Sequence, residues 1–207
     1  MYIPKPFLNE DRESMCRLIR EYPLAVLVTD GADGPCVDHV PMVVDAQGKV
    51  LRGHIARANP LARQVAEVRA LAVFRGADSY ISPGWYPAKA EHGKVVPTWN
   101  YAAVHAGGRL RLVEEADWLM AQLHALTEQQ EEGAPAPWAV GDAPAQYIGR
   151  LAAAIIGIEL SIETLEGKWK VSQNQTAETR AAVARGLRER NRGADLVMAD
   201  LVCRSPE

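Results

Sequence analysis

Three β-prone runs crowd into residues 24–29, 37–44 and 49–55, and the segments that join them are too short to hold a helix. The first joint contains Asp30-Gly31 and Gly34-Pro35, and the second runs from Asp45 to Gly48. Both are turn chemistry, because Gly and Asp tolerate the backbone conformations that reverse a chain. A parallel pair of strands needs a crossover of a dozen or more residues, so these turns commit the sheet to antiparallel pairing. Further β-prone runs at 70–74, 98–113 and 155–166 extend it, the second as one long strand or as two separated at Gly107-Gly108, with a bend expected there. A stub at 80–82 leads into a loop.

Helical patterns sit around this sheet. Asn9 can cap a helix in which Met15, Leu18 and Ile19 share a face, and Asn59 can cap one that starts at Pro60 and carries Leu61, Val65 and Val68. Trp118, Leu119, Leu123 and Leu126 describe a third, residues 147–154 a fourth, and residues 176–192 a basic amphipathic helix. Residues 128–137 read as an acidic, proline-containing loop. The fold class is mainly β with peripheral helices. An antiparallel split or closed β-barrel with a C-terminal helix is the economical solution, since closure removes exposed strand edges. The division expected is a barrel domain over 1–175 and a helical extension, 176–207, packed on the same domain.

At 207 residues and 48% hydrophobic, the chain buries a full core as one compact domain. Its 23 basic and 26 acidic residues leave a net charge of −3, so the surface as a whole presents no field for a polyanion. DNA contact would be confined to the last helix, where Arg180, Arg185, Arg188, Arg190 and Arg192 gather. Cys16, Cys36 and Cys203 lack a Cys-x-x-Cys pair, which reads as reduced thiols in a cytoplasmic protein. The N-terminal segment has no apolar run, and no membrane span is expected. His39, His54, His92, His105 and His124 show no metal-ligand spacing, so no metal is expected. His39, His54 and His105 could still converge across facing strands as haem ligands.

The chemistry concentrates in three clusters. His54-Ile-Ala-Arg57-Ala-Asn59-Pro60 joins a strand to a helix. Arg57, Asn59 and free backbone N–H groups there suit a phosphate, and the same residues equally suit a plain helix cap. Ser82, Lys89, Thr98 and Asn100 offer donors beside Trp85, Tyr86, Trp99 and Tyr101, whose rings can wall a flat ligand. Strand alternation sets Thr98 and Asn100 on one face and Trp99 and Tyr101 on the other. Lys168-Trp-Lys-Val-Ser-Gln-Asn174 ends a strand, and Lys170, Ser172, Gln173 and Asn174 suit anion or amide recognition. No P-loop, dinucleotide fingerprint or Gly-x-Ser-x-Gly elbow is present.

Five blocks appear in a familiar order. They are Met1-Tyr-Ile-Pro-Lys-Pro-Phe7, His54-Ile-Ala-Arg-Ala-Asn-Pro60, Tyr80-Ile-Ser-Pro-Gly-Trp-Tyr-Pro-Ala-Lys89, Val96-Pro-Thr-Trp-Asn-Tyr101 with Val104-His105, and Lys170-Val-Ser-Gln-Asn174. Together they resemble the PaiB family of FMN-binding transcriptional regulators. The resemblance implies an FMN-binding split barrel that forms a homodimer with flavin near the interface. Gly84 and Gln175 depart from it, standing where the family pattern often has Ser and Arg. The FMN phosphate would then fall to Arg57 or Lys89 with Ser82 or Thr98, the ring to walls such as Trp99, and the pyrimidine edge to Asn100 or Gln173. Asn59 and Asn174 complete the candidate set, and Lys170 near that edge would stabilise an anionic reduced flavin. An FMN-dependent oxidoreductase fed by NAD(P)H is the competing expectation, and a haem-binding barrel a further one.

Overall fold

The computed structural model describes residues 1–31, 34–63 and 67–204. Eight strands form one sheet: β1 (Leu8–Asn9), β2 (Leu24–Gly31), β3 (Gly34–Pro41), β4 (Val43–Val44), β5 (Val50–Ala56), β6 (Val68–Ile81), β7 (Thr98–Val113) and β8 (Ile155–Lys170). Their order is β3-β2-β6-β7-β8-β5-β4, with β1 paired to β8 off that path. The pairings β1·β8, β2·β3, β2·β6, β4·β5 and β5·β8 are antiparallel, as the short turns require. Six α-helices accompany the sheet: α1 (Arg12–Glu21), α2 (Ala88–Glu91), α3 (Ala116–Glu131), α4 (Ala145–Ala152), α5 (Ala177–Arg190) and α6 (Asp195–Arg204).

The described residues divide into two compact units, and β6, β7 and β8 each supply residues to both. One unit comprises 12–74 and 105–165. Its strands alternate: Ala25, Leu27 and Thr29 of β2 and Leu51 and Ile55 of β5 turn inward. Met15, Leu18 and Ile19 form the buried stripe of α1. Before that helix, Asn9 Oδ1 accepts from the Asp11 N–H at 2.9 Å. The β2–β3 hairpin pairs Val28 with Val37 and Gly31 with Gly34, and its tip, 32–33, lies outside the described residues. At the β4–β5 turn, Asp45 Oδ1 accepts from the Lys49 and Val50 N–H groups while Gly48 takes φ +66°. Glu159 of β8 is buried between Arg52 of β5 and Arg111 of β7, at 3.1 and 2.6 Å, and so fastens three strands.

The other unit comprises 1–11, 75–104 and 166–204. Its core joins Ala77 and Ile81 of β6 to Val183, Ala184 and Leu187 of α5 and Met198, Ala199 and Val202 of α6, with Trp85, Tyr86 and Trp169 packed against them. Thr176 caps α5 by accepting from the Thr179 N–H, and Asn191 ends it in the left-handed conformation at φ 45°.

Several elements differ from the sequence expectation. Strand β7 runs as one strand through Gly107-Gly108, where the glycines admit a closely approaching neighbour. A Cβ at Gly108 would stand 1.9 Å from the Ser161 carbonyl oxygen. After Asn59 the described residues form a 3-10 turn, Pro60–Arg63, and residues 64–66 of the expected helix, Val65 among them, lie outside the described residues. Val68 opens β6. Helix α3 continues to Glu131, into the expected loop, and β8 continues to Lys170. Helix α6 lies within the helical extension expected over 176–207, but the sequence pattern marked only the helix at 176–192 there.

Candidate functional site

The end of β8 and the start of β7 bring two of the sequence clusters together. Lys170, the last residue of β8, donates through Nζ to Thr98 Oγ1 and to the Trp99 carbonyl oxygen. Two residues on, Ser172 Oγ accepts from Asn100 Nδ2 at 2.8 Å, and both side chains are buried. Ser172 holds φ +65°, a left-handed conformation that costs a non-glycine residue about 1–2 kcal/mol. These four residues line a cleft of about 360 Å³. Asn174, Lys94 and Thr179 add polar groups to it, and Tyr86, Val95 and Phe7 add apolar wall.

The cleft is polar at one wall and basic, with Asn100 and Ser172 buried, Lys170 half-buried and Lys94 and Asn174 exposed. Burial lowers the Lys170 pKa below its ordinary value, and the neighbouring Lys168 charge lowers it further. Lys168 is itself buried, with its ammonium over the rings of Tyr101 at 5.2 Å and Tyr2 at 5.8 Å. Burial pushes the Tyr86 hydroxyl up from its ordinary range. An anion entering this cleft would meet a half-buried ammonium, where charge attraction is stronger than in bulk water.

Of the residues read from sequence, Thr98, Asn100, Lys170 and Asn174 therefore share one cleft. Gln173 does not join them. Its Oε1 accepts from the Val171 N–H and its Nε2 donates to the Trp169 carbonyl at 2.5 Å, so the amide is spent on its own strand end. Trp99 is 54% exposed and meets Tyr80 edge to face at 6.2 Å. Ser82 Oγ accepts from the Gly84 N–H and opens the 3-10 turn Pro83–Trp85, while Lys89 lies exposed on α2. Arg57 and Asn59 belong to the other unit. There Arg57 Nε donates to the Ala153 carbonyl, and Asn59 donates to Asp38 at 2.7 Å while accepting from the Leu61 N–H as a cap. His54 Nδ1 lies 2.9 Å from Gln122 Oε1. The basic helix ends at Arg190, so Arg192 lies beyond it, and of its four arginines Arg188 pairs with Asp200 and Arg190 with Asp195, which offsets half of that positive charge.

Sequence reasoning left out Lys94 and Thr179 and gave Ser172 no special place among its neighbours. A serine in a Ser-Gln-Asn turn carries no local mark of a left-handed backbone. Lys94 reaches the cleft only through the path of the 88–97 loop.

Among the described residues no helix is long and apolar enough to cross a membrane, and no group of three His, Cys, Asp or Glu side chains is placed to hold a metal ion. Comparison with known proteins gives a consistent picture. Residues 1–164 match the family described as "Putative FMN-binding domain". An uncharacterized protein of Emericella nidulans is 34% identical over 98% of this chain and 96% of its own length. The protease synthase and sporulation protein PAI 2 of Bacillus subtilis is 29% identical over 84% of this chain and 83% of its own. Among solved structures, an FAD- and haem-binding protein of Mycobacterium smegmatis superposes with a TM-score of 0.59 at 17% identity, covering 79% of this chain and 73% of that one. A conserved hypothetical protein of Mycobacterium tuberculosis gives 0.59 at 13% identity, over 85% and 94%. At such identities the likeness is one of fold, and the antiparallel split-barrel architecture expected from the turns is the one these structures share.

Proposed function

The chain belongs to the PaiB family of FMN-binding domains, whose cofactor is FMN, and on that premise we propose that it holds the flavin in the cleft of Thr98, Asn100, Lys170, Ser172 and Asn174 as a cofactor-binding regulator. The observation that carries this reading is the pairing of Lys170 with Thr98 beside the buried Asn100–Ser172 pair, inside a cleft that also has apolar wall. The donor set fits an FMN. Lys170 and Lys94 suit an anionic group, Asn100, Ser172 and Asn174 suit the polar edge of a ring, and Tyr86 and Phe7 suit its apolar face. When bound, FMN supplies a redox centre. The chain's part is to exclude water with its apolar wall and to place a positive charge, Lys170, beside the ligand.

A homodimer is part of the proposal. Trp99, Tyr80 and Val96 are 54, 39 and 74% exposed, and such apolar surface is suited to cover by a second copy. For the regulatory output, an indirect route has more support than broad contact with DNA, given a net charge of −3 and the paired arginines of α5. Turnover with a nicotinamide donor is the competing reading, and the donor would have to share the flavin's cleft.

The visible absorption spectrum of the purified protein, before and after FMN addition and then under anaerobic NADH, tests this. Bound flavin that stays oxidised supports the regulator, rapid bleaching moves the protein to the oxidoreductases, and no flavin uptake removes the assignment. Titration of Arg57→Ala decides whether the second unit takes part: affinity unchanged from wild type excludes Arg57 from the site.

A further inference from the structure

One wall of the cleft, Tyr86, follows directly on the 3-10 turn Pro83–Trp85, and that turn lies against α5, with Trp85 packed on the core that α5 shares with α6. Both helices lie beyond the residues 1–164 that match the family. The contact has three parts. The Arg190 guanidinium stands over the Trp85 ring, 4.9 Å from its centroid. Arg190 is in turn held by Asp195, through Nε at 2.7 Å and Nη2 at 2.5 Å, in the two-pronged geometry that fixes a guanidinium plane. Asp195 is 1% exposed and is itself fixed by Ser79 Oγ and the Arg192 N–H, both at 2.9 Å. Finally, Gly186 opens α5 to the indole: a Cβ there would stand 2.4 Å from Trp85 Cδ2.

The glycine makes the arrangement informative. Mid-helix glycine is a poor choice for helix stability, and an exposed Arg–Asp pair would serve α5 and α6 equally well without an aromatic partner. Gly186, the planar fork and the buried carboxylate all converge on one ring, and that ring adjoins the residue that walls the cleft. We propose that Arg190 is a positioning residue for the cleft: with Asp195 and Gly186 it clamps Trp85, and through Trp85 it sets Tyr86 where the ligand must pass. The C-terminal helical pair is thereby a working part of the binding site. In its flavin readout this rests on the function proposed above.

The test pairs Arg190→Met with Asp195→Asn, so that no buried charge is orphaned, in wild-type and Tyr86→Ala backgrounds. Two quantities are read: hydrogen exchange of the 82–89 amides without flavin, and FMN dissociation constants by fluorescence titration. Faster exchange at 82–89 is expected, with FMN affinity falling about fivefold to tenfold in the Tyr86 background and less than about twofold once Tyr86 is gone. Arg190→Lys, which keeps a cation over the ring, should recover part of the loss, and Gly186→Ala should reproduce it with the fork intact. Equal losses in both backgrounds, or unchanged exchange at 82–89, overturn the proposal. A wild type that takes up no FMN sinks the flavin assignment alone, and exchange at Trp85 and Tyr86 then decides whether the clamp exists.

Discussion

Ser172 and Lys170 show how single residues in the cleft trade stability for binding. Ser172 combines a left-handed backbone with a buried hydroxyl that satisfies Asn100 Nδ2. Ser172→Ala leaves that donor unpaired and keeps the strain, so it should cost about 1–3 kcal/mol. Ser172→Gly loses the same bond but relieves the backbone, so denaturant midpoints should place it about 1 kcal/mol above the alanine variant. Lys170 has its pKa lowered by burial and by Lys168. The unfolded chain therefore binds that proton more tightly, and stability should rise with pH between the lowered folded value and the ordinary lysine value of about 10.4. Lys170→Met should abolish this slope while weakening FMN binding about tenfold or more, which parallel melting curves and titrations will separate.

At the scale of elements, the Arg52–Glu159–Arg111 bridge shows why the sheet tolerates a buried carboxylate. Burial raises the Glu159 pKa, and the hydrogen bonds and charges of Arg111 and Arg52 outweigh it, so the net direction is down. A depressed folded pKa contributes stability that is present above the unfolded value, about 4.3, and is lost as pH falls through the folded one. Glu159→Gln should therefore lose about 1–2 kcal/mol near pH 7 and show a shallower acid transition than wild type in urea melts. The strands themselves were legible: inward residues of β2 and β5 follow simple alternation, and turn chemistry marked both hairpins. Whether 98–113 is one strand or two could not be read at Gly107-Gly108, because a glycine that admits a neighbouring strand looks the same in sequence as one that interrupts its own. Within the helical extension expected over 176–207, α6 was not marked as a separate helix, because Leu196 and Val197 are exposed while Asp195 is buried, which inverts the pattern of an amphipathic helix.

For the whole molecule, a ligand that binds only the folded state stabilises it by mass action. FMN at about 100 times its dissociation constant should add about 2.7 kcal/mol and raise the melting temperature of a 207-residue chain by about 5–10 °C. A calorimetric shift near zero under those conditions contradicts specific binding. The antiparallel, mainly β architecture and the identity of the chemical groups followed from the sequence alone, because turn length, alternation and residue type are local properties that survive in a linear string. Which donors share a cleft was decided only by tertiary structure. Thr98, Asn100, Lys170 and Asn174 meet there, while Gln173 is spent on its own strand and Asn59 on a cap and Asp38. Side chains with similar hydrogen-bonding capacity become ligand groups or structural ones according to where the fold carries them: Gln173 is taken up by backbone groups two and four residues away, whereas Thr98 and Asn100 reach the cleft through partners 72 residues away.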